Sequence, residues 1–155
     1  MVTFNTPTNP APGRYELSSR AVFKLELGAD GKRIYDLERA NRIKTMLNQC
    51  SGTQYWHPYD NYLFTDGISL MVEECGAFWL LLVVFRSQSV EAVKREPFQV
   101  WELRPHEKGS GATLHCSDGN DKIIFTKEIP QTNFPLPDGI KLYFANGVLY
   151  LPSEH

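Results

Sequence analysis

A chain of 155 residues, 42% hydrophobic and 22% charged, has the length and composition of one soluble globular domain with a core of its own. A net charge of −2 excludes a global electrostatic attraction to nucleic acid or to an anionic membrane. Three cysteines (Cys50, Cys75 and Cys116) with no C-x-x-C pair exclude a disulfide framework and a zinc ribbon, and fit free thiols in a cytoplasmic protein.

Residues 1–20 hold Pro7, Pro10 and Pro12 among polar residues, which predicts a flexible arm ahead of a single domain over 21–155. The arm has no basic start and no apolar run, so it does not read as a signal peptide. Residues 22–27 partly alternate and predict a strand, and 28–31 are turn chemistry. Residues 33–35 either pair back on that strand or open the next helix. From Asp36, a plausible cap, Leu37, Ala40, Ile43 and Leu47 fall on one helical stripe. Arg39, Arg42 and Lys44 lie off it, as on a solvated face. Ser51 and Gly52 end the helix.

Residues 55–62 crowd aromatic and polar groups between turn signals. They predict an irregular or short extended loop leading to a cap at Thr65 or Asp66. Such rings either lid the core or line a site, where they offer stacking surface with a polar tip. The stretch 65–85 is the longest apolar segment. It predicts a helix from about Gly67, a break near Gly76, and a second helical piece, buried all round, to about Ser89. Trp79 is then a core residue. The apolar run is too short to span a bilayer and follows Glu73 and Glu74.

Beyond it the period switches to two. Strands are predicted at 98–104, 112–117, 122–129, 140–144 and 148–151. Ala112, Leu114 and Cys116 should share one face, and Ile123 and Phe125 should point inward. Asn146-Gly147 is a strong hairpin signal, because both residues tolerate positive φ. Helices first and antiparallel strands after imply an α+β fold, with N-terminal helices packed on one face of a C-terminal antiparallel sheet that runs as a meander.

Seven blocks carry a resemblance: Cys50-Ser51-Gly52-Thr53 with Tyr55-Trp56, residues 62–67, 74–80, 98–101, 116–120, Phe134-Pro135-Leu136, and 146–154. In this order they resemble a family of small uncharacterised bacterial proteins, found in cyanobacteria and on mobile elements and classed as a domain of unknown function. The resemblance covers roughly 45–155 and implies no catalytic residues. Association with mobile elements implies a regulatory or defence-related binding role by analogy.

The chemistry-bearing residues form no recognised catalytic set. His115 and Cys116 are adjacent on a strand and point to opposite faces. Cys75 reads as a small core hydrophobe, and Cys50 is the thiol nearest His57 in the chain. The four histidines lack metal-ligand spacing, so no metal site is expected. Arg33, Arg39, Arg42 and Lys44 are too thinly spread to predict nucleic-acid binding. The expectation is a non-enzymatic binding or interaction protein that contacts an unknown protein, a small ligand or a second copy of itself through Tyr55, Trp56, His57 and Tyr59. No membrane partner and no cofactor are expected. The alternative is a small-ligand or haem-binding domain on the same loop, with His57 as the polar or axial group.

Overall fold

The computed structural model describes residues 25–155, so the expected arm and the first residues of the first predicted strand lie outside the described residues. β1 (Glu26–Leu27) and β2 (Arg33–Ile34) form a small antiparallel hairpin that turns through Gly31 at φ 79°. The chain at 33–35 therefore pairs back. Asp36 then sits in extended conformation, and its Oδ1 accepts from Arg39 N at 3.0 Å, which starts α1 (Leu37–Asn48). α1 buries Ala40, Ile43 and Leu47, whereas Leu37, at its first position, is exposed.

The central stretch is helix, break, helix. Thr65 caps α2 (Asp66–Cys75), with Oγ1 accepting from Ile68 N at 3.3 Å. Gly76 ends it in the left-handed region at φ 60°, ψ 37°, where glycine carries no Cβ penalty. α3 (Phe78–Arg86) follows, then a 3-10 turn at Ser87–Ser89 and the short α4 (Glu91–Lys94). Burial all round is not what α3 shows. Leu80, Leu81, Val84 and Phe85 are buried, but Phe78, Trp79, Leu82 and Val83 are only partly covered. A helix on the outside of a layered domain meets the core along one stripe, and composition alone does not reveal the open side. The fully enclosed tryptophan is Trp101.

The main sheet has seven strands: β3 (His57–Tyr59), β4 (Tyr62–Phe64), β5 (Phe98–Pro105), β6 (Ala112–Ser117), β7 (Ile123–Ile129), β8 (Ile140–Ala145) and β9 (Val148–Tyr150). Their order is β3-β4-β9-β8-β5-β6-β7. All pairings between β5 and β9 are antiparallel, but they do not run as a meander. β5, β6 and β7 follow one another, and β8 returns to the other side of β5, a Greek-key order. The connection 130–139 permits the crossing because it is not a surface turn: it buries Phe134 and Leu136 in the core. Among the described residues one pair is parallel, β4 with β9, through Leu63↔Val148 and Phe64↔Leu149.

Ala112, Leu114 and Cys116 are buried together as the alternation predicts. In β7 the pattern slips. A register shift beside Cys116 and Ser117 sets Phe125 opposite Cys116 and Ile123 opposite Ser117, so Ile123 is exposed. Phe125 lies edge-on to Trp101 at 6.0 Å. The α+β class stands. Ile68, Met71, Leu80 and Val84 from the helices share one core cluster with Trp101, Leu114, Leu142 and Leu149 from the strands.

Candidate functional site

Thr65 and Asp66 are both cap-forming residues, and the structure gives them different work. Thr65 caps α2, which leaves the Asp66 carboxylate to hold the segment before β3. Its Oδ1 lies 2.7 Å from His57 Nε2. Its Oδ2 accepts from the amides of Gln54 at 2.8 Å and Tyr55 at 3.3 Å, and Asp66 N donates to Thr53 Oγ1 at 2.9 Å. Glu154, in the 3-10 turn Pro152–Glu154, closes the other side. Its Oε1 accepts from Thr65 Oγ1 at 2.6 Å and Leu151 N at 2.9 Å, and its Oε2 accepts from Gly67 N at 3.1 Å. Position 67 is glycine for a steric reason: a Cβ there would lie 2.5 Å from Glu154 Oε1 and 2.8 Å from Leu151 Cδ1. Two carboxylates thus sit at the positive end of α2, where the dipole favours them.

Partial burial pushes the Asp66 carboxyl up, but the hydrogen bonds from His57, Gln54 and Tyr55 outweigh it and hold the group below its ordinary 3.8. A carboxyl with a depressed folded pKa contributes stability that is present above the unfolded value and lost as pH falls through the folded one. Stability should therefore drop as acid is added from about pH 4 downward. In Asp66→Asn that part of the drop should vanish. Denaturant melts from pH 6 to pH 2 check this; parallel curves for the two proteins would reject the assignment.

The four residues expected to form a site go to different places. His57 is 3% exposed and stacks on Phe64 at 5.0 Å. Tyr59, two positions on, is half-buried against Phe78 at 5.8 Å and Phe85 at 6.1 Å. Tyr55 is 39% exposed. Trp56 lines a surface cavity of about 340 Å³. His57 and Tyr59, two apart in β3, face the core together, whereas Tyr55 and Trp56 precede the strand.

The rest of the cavity comes from the far end of the chain: Asn146 and Val148 at the β8–β9 turn, Tyr150, Glu154 and His155, with Thr53 and Thr65 beside them. Tyr150 and His155 stack at 5.7 Å with planes 5° apart, and Tyr150 Oη lies 2.9 Å from His155 Nδ1. Burial and the nearby Tyr143 push the Tyr150 phenol up. Sequence reading missed these residues as site members because 146–151 registered as a hairpin turn and strand, and nothing local ties them to Trp56. The available signal was the run of polar and aromatic groups directly after the turn.

Burial pushes the Cys75 and Cys116 thiols up to about 12. Burial and the Glu154 and Asp66 carboxylates also raise Cys50, whose Sγ lies 3.6 Å from Met46 O. All three are therefore thiols near neutral pH, not the thiolates that nucleophilic chemistry needs. Among the described residues no group of three or more His, Cys, Asp or Glu could hold a metal ion, and no helix is long and apolar enough to cross a membrane. Of the four basic residues weighed for nucleic acid, Arg33 is buried, Arg42 pairs with Glu38 at 3.5 Å, and Lys44 pairs with Asp138 at 3.0 Å.

No curated protein and no solved structure matches this chain. One family model does, over residues 41–155, a span that takes in most of α1, the whole seven-stranded sheet and every residue of the cavity. On that match the chain belongs to the family of unknown function DUF6876.

Proposed function

We propose that the protein is a cytoplasmic, non-enzymatic binding protein whose ligand seat is the cavity between Trp56, the β8–β9 turn and the C-terminal 3-10 turn. The observation that carries this is the cavity itself. It is concave, walled by aromatic rings, and supplied with a few fixed polar groups from distant parts of the chain. Its hydroxyls and its carboxylate are bound to one another and to the α2 N-terminus, an arrangement that holds a ligand better than it moves protons. A haem would need an axial ligand. His57, the residue expected to supply it, is enclosed and has Nε2 on Asp66, so this geometry favours a small organic ligand instead.

Two substitutions separate the seat from its support. Trp56→Ala should change stability by less than about 1 kcal/mol and abolish ligand binding, because the ring is half-open at the cavity mouth. His57→Ala should destabilise by about 2 kcal/mol, since it removes a buried ring and leaves Asp66 short of a donor. Denaturant melts read the stabilities, and a fragment library screened by amide chemical-shift mapping on both variants and the parent reads the binding. Fragments that cluster elsewhere, or that bind the Trp56 variant equally well, would overturn the proposal.

A further inference from the structure

The internal hydrogen bonds of the cavity leave Thr53, Thr65 and Glu154 able to accept and unable to donate, and that narrows the ligand at this end of the cavity; the inference rests on the cavity being the ligand seat. Thr65 donates its hydroxyl hydrogen to Glu154 Oε1 at 2.6 Å, while its oxygen accepts from Ile68 N at 3.3 Å. Thr53 donates to the Tyr55 carbonyl at 2.6 Å and accepts from Asp66 N at 2.9 Å. A hydroxyl has one hydrogen and two lone pairs. Each threonine therefore keeps one lone pair and no hydrogen. Glu154 Oε1 is filled by Thr65 and Leu151, but among the described residues Oε2 accepts only from Gly67 N and keeps an acceptor position.

The charge agrees. Among the described residues no lysine or arginine lines the cavity, and Glu154 supplies a carboxylate there. The α2 N-terminus, which would draw an anion, is already occupied by that carboxylate. The rings of Trp56 and Tyr150 lie in the same lining, with Asn146 and His155 beside them, and aromatic faces attract cations. An anion would meet a carboxylate and find no hydrogen from either threonine. An uncharged apolar molecule would cover three acceptors without a partner.

We propose that this cavity binds an organic ammonium ion, with its N–H groups on Glu154 Oε2 and the hydroxyl oxygens of Thr53 and Thr65 and its carbon chain against Trp56 and Tyr150. The ion can be a free amine or the side chain of a lysine on a partner protein; the chemistry is shared.

The test titrates the full chain with n-butylammonium, tetramethylammonium, 1-butanol and butyrate, and follows amide and indole cross-peaks, with the Trp56 indole assigned from Trp56→Phe. Butylammonium should bind at least tenfold more tightly than butanol or butyrate. It should also bind more tightly than tetramethylammonium, which has the charge but no N–H. Trp56→Leu should weaken it about tenfold with the melting temperature kept. Nα-acetyl-lysine methylamide binding as well as butylammonium would mark a partner's lysine as the source; binding at least tenfold weaker would mark a free amine. Butanol or butyrate moving the same cross-peaks at equal or lower concentration would overturn the ammonium assignment and leave the cavity as the seat. No probe moving them would overturn both.

Discussion

Gly139→Ala is expected to destabilise the protein by about 4 kcal/mol or more, a large fraction of the stability of a domain this size. Gly139 closes the turn in which its amide donates to Leu136 O at 3.0 Å, and the chain then enters β8 beside β5. Its φ is +72°, where a side chain is strained. A Cβ would also fall 1.8 Å from Leu103 O and 2.9 Å from Leu103 C. Those atoms are backbone of a central strand, so relief needs β5 or β8 to move, and both carry the middle of the sheet. Gly147→Ala is the control. It shares a positive φ, +76°, but nothing lies within 4 Å of its Cβ, so it should lose only about 1 kcal/mol. Equal losses in denaturant melts of the two variants would mean that φ strain alone, not the contact with Leu103, sets the requirement.

Trp101→Ala should lose about 3–5 kcal/mol, as large aromatic deletions in cores do. The indole is fully buried, sits between Cys116 and Leu142 in the ladder, and meets the edge of Phe125. Its Nε1 donates to Gln99 Oε1 at 2.9 Å, and that amide also takes Gln88 Nε2 at 2.9 Å. Truncation therefore opens a void beside a buried polar network and removes one of its donors. In a chain of this size the loss should lower the melting temperature by roughly 10–15 °C. Trp79→Ala, on the partly covered side of α3, should lose about 1 kcal/mol. A melt that ranks Trp79 above Trp101 would contradict the burial of both.

The contrast between the two tryptophans shows what the sequence could reveal. Local periods placed the helices, the break at Gly76 and the strands, because these depend on residues a few positions apart. Which side of an apolar helix is covered depends on what packs there from elsewhere, and α3 carries no polar stripe to mark it. The same limit applied to strand order: nothing within 130–139 says whether it turns back beside β7 or crosses to β5, although its buried Phe134 and Leu136 are the residues that fix the choice. Of the candidate site, Trp56 was legible as an aromatic residue in a loop. Tyr150, Glu154 and His155 were not, since their meeting with Trp56 is a product of the fold. His57 read as a polar group available for function, and the structure finds it engaged by Asp66 under Phe64.

The parallel pairing of β4 with β9 also has a consequence in time. Thr65 and Glu154, which meet beside that pairing, are 89 residues apart in the chain. Closing so long a loop takes chain entropy before the contact returns anything, and folds dominated by such contacts form slowly. α1, α2 and the β3–β4 hairpin rest on contacts close in the chain, whereas the sheet edge beside β4 is filled by β9 from near the other end. During synthesis the strand that covers this edge of Phe64 is therefore made long after Phe64 itself, and the cavity that Trp56 shares with Tyr150 and Glu154 is among the last parts of the molecule to be completed.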